Sequence, residues 1–261
     1  MASRPLKIAY IGAGNVAWHL APALAPNVAT VASRNAEHAE ALAIRAGAAA
    51  ADFDTLKRKQ HDVIIISVAD SAIASVATAI GRLDYTPLVL HTSGTIGKEI
   101  LEAMSPRTGV LYPLQTFSKE TSLELASVPF FTEAERAADL DTIDDIGRLI
   151  SPHIYHADAQ KRRTLHIAGV FTSNFVNVLL ESVQTVLAPD GYDLDVVRPL
   201  LEETAKKAFA IGPHDAQTGP ARRGDTAVTK RQFDALPEHL KPVYRALTDL
   251  IMYNHGIHTN E

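Results

Sequence analysis

The sequence has no cysteine in 261 residues. Disulfides, thiolate nucleophiles and cysteine-bound zinc are therefore excluded. It also lacks a long apolar run. The longest candidate, residues 63–68, has the length of a strand, far short of the ~20 residues a membrane-spanning helix needs. No charge of one sign dominates: 25 Lys and Arg stand against 30 Asp and Glu, for a net charge of −5. A nucleic-acid binder usually presents a basic face, so no nucleic-acid partner is expected. The start, Met1-Ala2-Ser3-Arg4-Pro5-Leu6-Lys7, runs directly into a strand without the apolar core of a signal peptide. Together these absences predict a cytoplasmic protein without a membrane partner. What is present is ordinary globular material, 46% hydrophobic and 21% charged, enough for one large domain or two of moderate size.

The first half alternates short apolar runs with helix-like segments. Strands are predicted at residues 7–11, 28–32, 63–68, 88–91 and 109–112, with helices at 15–25, 36–46 and 71–80 between them. Strands that are apolar on both faces and alternate with helices imply a parallel sheet covered on both sides. Val128-Pro129-Phe130-Phe131 reads as the last strand. From residue 158 the period becomes helical, with one long helix or a kinked pair predicted at 161–188, further helices at 193–211 and 237–253, and a polar loop at 212–224. The expected fold class is α/β, a Rossmann-type, mostly parallel sheet followed by an all-helical C-terminal domain. The expected boundary divides a domain at 1–155 from one at 156–261.

The strongest motif is Gly12-Ala13-Gly14-Asn15-Val16-Ala17, which follows the first strand and opens the first helix. That context is what makes it a dinucleotide fingerprint. Gly12 permits the tight turn, Gly14 lets the backbone approach a diphosphate, and Ala17 keeps helix and sheet close. The diphosphate then sits on free amides at the helix start, around Asn15 and Val16. The end of the second strand, Ala32-Ser33-Arg34-Asn35, has no carboxylate to hold a ribose 2′-hydroxyl. Arg34 instead offers a planar fork suited to a 2′-phosphate, with Ser33 beside it. The expected cofactor is NADP. The rule that ligands bind beyond the carboxyl ends of parallel strands puts Val68, Ala69, Asp70 and Thr92 on the same side.

Four stretches resemble a bacterial family that joins a Rossmann-like domain to a helical C-terminal domain of unknown function: residues 90–95 (LHTSGT), 111–117 (LYPLQTF), 166–174 (HIAGVFTSN) and 217–225 (QTGPARRGD). The match covers nearly the whole chain. The family is similar to pyrroline-5-carboxylate reductase, ketopantoate reductase and the 6-phosphogluconate and β-hydroxyacid dehydrogenases. The resemblance implies an oxidoreductase that acts on a small molecule and forms a homodimer through its helical domain. It also implies that the loop with Gln115 and Thr116 lines the substrate pocket. One departure stands out. The β-hydroxyacid dehydrogenases carry a catalytic Lys four residues before an Asn on the first long helix. Here Val170 stands four residues before Asn174.

The remaining chemistry-bearing residues complete the expected site. His166 and Asn174, about 2.2 turns apart at helical spacing, are the candidate proton donor and orienting group. Ser93 is a second orienting group, and His91 a candidate substrate contact. Gln217 and the adjacent Arg222 and Arg223 are candidates for holding a carboxylate or phosphate. His153, His156 and Asp158 match no metal motif, and no metal is expected. The resulting expectation is an NADP-dependent oxidoreductase that passes hydride between the nicotinamide and a small, anionic carbonyl or imine. The alternative is a catalytically inactive, NADP-binding sensor or scaffold.

Overall fold

The computed structural model of the chain describes residues 5–257. Eight strands form one sheet in the order β3-β2-β1-β4-β5-β6-β7-β8. They are β1 (Ile8–Ile11), β2 (Val28–Ala32), β3 (Ala49–Ala51), β4 (Val63–Ile66), β5 (Leu88–His91), β6 (Arg107–Pro113), β7 (Phe130–Ala134) and β8 (Ile154–His156). All neighbouring pairs are parallel except β6 and β7. The helices of this part are α1 (Asn15–Ala23), α2 (Ala36–Ala46), α3 (Phe53–Arg58), α4 (Asp70–Ile80), α5 (Ala137–Arg148) and α6 (Ala159–Gly169).

The strands are apolar throughout because both faces are covered. Alternate residues of a strand point to opposite faces, and the two resulting cores are distinct. Ile8, Tyr10, Val31, Ile65 and Leu90 pack with Leu20 of α1, Leu42 of α2 and Ile143 of α5. Ala9, Ile11, Ile64, Ile66 and Val89 pack with Leu56 of α3 and Ile73 and Val76 of α4. The chain leaves β1 towards β2 and β3, then returns to lay β4 on β1's other side. That reversal opens a crevice beyond the ends of β1 and β4, the usual ligand position in such sheets.

The sequence-predicted elements are present, with differences that have local causes. Strand β3 is three alanines with little strand propensity, and its pairing with Thr30–Ala32 makes it a strand. Strand β8 forms on β7 after the last strand visible in the sequence. Helices α3 and α5, and a helix at Thr226–Ala235, add to the expected set. The predicted loop at 212–224 contains the short helix α9 (Pro213–Ala216) and a 3-10 turn at Ala221–Arg223.

By contacts, the chain falls into two compact units that divide after Ser173. Strands stop near residue 156, but α6 still belongs to the first unit. Its fully buried Arg162 donates to the Ile96 carbonyl (2.9 Å), to the Ala157 carbonyl (3.0 Å) and to the Glu133 carboxylate. Past α6 the backbone forms a π-helical segment, Val170–Asn174, before α7 (Phe175–Leu187). The second unit continues with α8 (Arg198–Ile211), α9, α10 (Thr226–Ala235) and α11 (Lys241–Asn254). Among its described residues there is no strand. No helix of the described chain is long and apolar enough to cross a membrane.

Candidate functional site

A cleft of about 520 Å³ lies at the carboxyl ends of β1, β2, β4 and β5. Its floor is the turn after β1. Gly12 has φ +105°, and a Cβ there would stand 2.2 Å from the Ser67 carbonyl oxygen, so only glycine lets β1 and β4 close at this point. Gly14, by contrast, meets nothing within 4 Å, so its backbone lies bare to a ligand. Helix α1 begins at Gly14 without a side-chain cap and with no acidic residue in its first turn. Other helices of the chain do carry a cap: Asn35 on α2, Asp52 on α3 and Asp158 on α6 each accept a backbone N–H. The uncapped amides and helix dipole of α1 therefore face the cleft and suit an anion.

The wall beyond β2 carries Ser33 and Arg34, together with His38 from the first turn of α2. Arg34 is exposed and, among the described residues, makes no ion pair. Asp70, at the β4 end, supplies the lining's only carboxylate, where it accepts a hydrogen bond from the Thr95 hydroxyl. The polarity of the β2 end thus fits a 2′-phosphate and offers a bare ribose hydroxyl no carboxylate.

The wall beyond β4 and β5 is Ser67, Val68 and Ala69 with Thr92 and Ser93. The Ser67 and Thr92 hydroxyls lie 3.0 Å apart. The Ser93 hydroxyl accepts the Thr95 and Ile96 amides, each at 3.1 Å, which shapes the turn. His91, expected to touch a substrate, is instead fully buried behind this turn. Its Nδ1 accepts the Ser93 amide at 3.2 Å. Desolvation pushes its pKa from 6.5 down to about 4, so the ring is neutral near pH 7.

Gly94 of the same turn leaves no room for a Cβ, which would stand 2.6 Å from the Tyr112 ring. The Tyr112 hydroxyl lies 3.4 Å from Nδ1 of His166. Burial, reinforced by the negative charge of Asp70, holds the Tyr112 pKa above its ordinary value, so the phenol keeps its proton. His166 is exposed on α6. Gln115 and Thr116 are exposed on the loop after β6, where the Gln115 side chain accepts the Thr116 amide (2.8 Å).

The structure therefore gathers all ten residues expected to hold the dinucleotide, and Ser93, around one cleft. It places His91 beneath the cleft wall and His166 against Tyr112 behind the same turn. Asn174, Gln217, Arg222 and Arg223 belong to the second unit. There Gln217 donates to the Thr218 carbonyl (3.0 Å). Asp225 caps α10 through the Val228 amide (3.1 Å), and among the described residues neither arginine has an ion-pair partner. His156 is bonded to Asp144 (2.8 Å). Sequence reasoning did not single out His38, Tyr112 or Lys119, the last of which also lines the cleft. His38 was within reach, being one helical turn past Arg34 at a helix start. Tyr112 and Lys119 come to the site only by tertiary folding.

Comparison with known proteins fits this arrangement. Residues 7–93 match the family NADP oxidoreductase coenzyme F420-dependent, and residues 128–251 match a domain of unknown function, DUF2520. A Bacteroides fragilis protein assigned as an NADP oxidoreductase is 33% identical, with a TM-score of 0.86 over 96% of this chain and 98% of that one. Two more distant structures share the fold. A 1-pyrroline-5-carboxylate reductase of Streptococcus pyogenes has 13% identity and a TM-score of 0.65, covering 96% and 98% of the two chains. An imine reductase of Myxococcus stipitatus in complex with NADP+ has 15% identity and a TM-score of 0.64, covering 95% and 93%. No curated protein matches the chain.

Proposed function

The chain belongs to the NADP oxidoreductase family of the Bacteroides protein, and from that premise we propose that it reduces a small, anionic carbonyl or imine compound. Its cofactor is NADP(H). The observation that carries the reading is the end of β2, where an unpaired Arg34 and Ser33 face the cleft with no carboxylate beside them. Bound NADPH supplies the hydride, and the chain supplies position and charge. The α1 amides hold the diphosphate, and Arg34 holds the 2′-phosphate through paired hydrogen bonds. The turn at Thr92 and Ser93 forms the wall at the far end, with His91 fixing the Ser93 amide from behind.

His166 is the proton donor of this reading. It is exposed, so it recharges from water, and an imidazole is suited to acid–base work near neutral pH. Tyr112 orients it through the 3.4 Å contact at Nδ1. Asn174 orients the reacting group. In the first unit Gln115 and Thr116 are substrate contacts of this reading; in the second, Gln217, Arg222 and Arg223 are, the arginines being suited to an acidic group.

The second unit adds an assembly reading. Helices α7 and α8 bury no residue, while Phe209, Tyr253 and Leu200 are 94%, 74% and 69% exposed. A helical unit with its apolar faces open is unfinished, and a second copy of this chain completes it.

A thermal-shift comparison of dinucleotides tests the cofactor, since a ligand that prefers the native state raises the melting temperature. NADP+ is expected to raise it more than NAD+. Arg34→Ala is expected to weaken NADP+ by about tenfold or more and leave NAD+ nearly unchanged. For turnover, NADPH oxidation is followed over a panel of 2-oxo acids and cyclic imines. His166→Ala is expected to lower an established kcat by about a hundredfold. Binding of NADPH with no turnover on any panel member counts against catalysis, and an unchanged kcat in His166→Ala removes the acid assignment.

A further inference from the structure

Between β6 and β7 the chain crosses α1 as a strap, residues 114–124. Two contacts seat it. Nε2 of His19 on α1 lies 2.7 Å from the Ser118 carbonyl oxygen, and the His19 and Phe117 rings pack with centroids 5.7 Å apart. The next residue, Lys119, lines the cleft together with Gly14, Asn15 and Arg34. Its ammonium stands 4.9 Å from the centre of the Trp18 ring. A second cation shares that ring, the Arg45 guanidinium at 5.1 Å. Arg45 is tied down by its Nε–H, which donates to the Trp18 carbonyl at 3.2 Å. Lys119 has no such tie and, among the described residues, makes no hydrogen bond or ion pair. Its neighbour Glu120 is engaged by the Ser118 hydroxyl.

Two like charges on one half-buried aromatic ring weaken each other's hold on it. A phosphate offers a far better partner, a charge-assisted hydrogen bond. The cleft that Lys119 lines already has the bare amides of α1 and the free fork of Arg34, so an anion drawn there arrives within reach of the strap.

We propose that Lys119 is a phosphate ligand of the dinucleotide site, parked over Trp18 in the free protein and transferred to a phosphate of the bound dinucleotide. This rests on reading the cleft as a dinucleotide site. Trp18 then reports the event, and it is the only tryptophan in the chain.

The test uses the full chain as wild type, Lys119→Met and Lys119→Arg, with NADP+ and NAD+ as probes. Calorimetry reads affinity, and Trp18 emission reads the ring's surroundings. Lys119→Met is expected to bind about fivefold to tenfold more weakly, with affinity less sensitive to salt, while Lys119→Arg stays close to wild type. The Trp18 emission change seen on binding to wild type is expected to shrink in Lys119→Met. A loss shared by both dinucleotides assigns the diphosphate to Lys119; a loss confined to NADP+ assigns the 2′-phosphate. Either sustains the proposal. Equal affinity of wild type and Lys119→Met for both probes overturns it and leaves the cleft's identity intact. Failure of the wild type to bind either probe overturns the dinucleotide reading and takes this inference with it.

Discussion

The two units of the chain solve the problem of burying apolar surface in opposite ways. The first closes its own core: a two-sided sheet whose inner strands are almost fully buried, with helices against both faces. The second has amphipathic helices of comparable length, yet among its described residues only Ala221, Thr229, Leu240 and Met252 are buried. It also carries a mainly apolar groove of about 410 Å³ between α7 and α11, lined among others by Leu179, Val183, Leu240 and Leu247. The first unit covers its apolar residues within itself, whereas the second presents apolar side chains at its surface.

The sharpest contrast comes from the core. Ile65→Ala removes a fully buried side chain from β4 and is expected to cost about 3–4 kcal/mol. Chemical denaturation should show that loss independent of protein concentration. Acid is the next largest lever and acts on the first unit. His91 has a pKa near 4 in the folded chain against 6.5 when free, so between those values the unfolded state binds more protons. Its contribution is whole above pH 6.5 and lost as pH falls towards 4, for about 3 kcal/mol in all. Denaturation at pH 7 and pH 4.5 measures the loss, and His91→Asn should flatten that part of the profile. In the second unit, Leu200→Asp puts a charge on an open apolar face and is expected to raise the dimer dissociation constant about thirtyfold to a hundredfold, or 2–3 kcal/mol. Sedimentation at several concentrations reads it, and a wild type that is monomeric throughout refutes the pairing of copies. The smallest effect is the control. Ile44→Ala alters a residue 76% exposed on the first unit and is expected to change stability by under about 0.5 kcal/mol.

What the sequence made legible follows the same division. The Gly12 turn, the β4 run and Arg34 were readable because each depends on neighbours in the chain: a glycine's φ, a β-branched run, a side chain at a strand end. Strand β3 was not, since Ala49-Ala50-Ala51 is extended only through its pairing with β2. The stretch expected at 161–188 as one long helix or a kinked pair is interrupted by the π-helical Val170–Asn174 segment. The spacing of His166 and Asn174 thus does not follow the simple 3.6-residue count, and such segments are frequent at functional sites. The partners of the buried groups lay furthest from sequence reasoning. Tyr112 meets His166 across 54 residues and Arg162 meets Ile96 across 66, distances at which local pattern carries no information.

Arg162 has one more consequence, on the scale of evolutionary change. Its guanidinium is sealed from water and answered by Glu133 on β7. Loss of Glu133 leaves the Arg162 charge buried without its carboxylate, at a cost of about 3–5 kcal/mol, whereas replacing both by an apolar pair of similar volume is better tolerated. Descendants of this chain should therefore keep both residues or replace both together, and lineages holding one without the other should be rare.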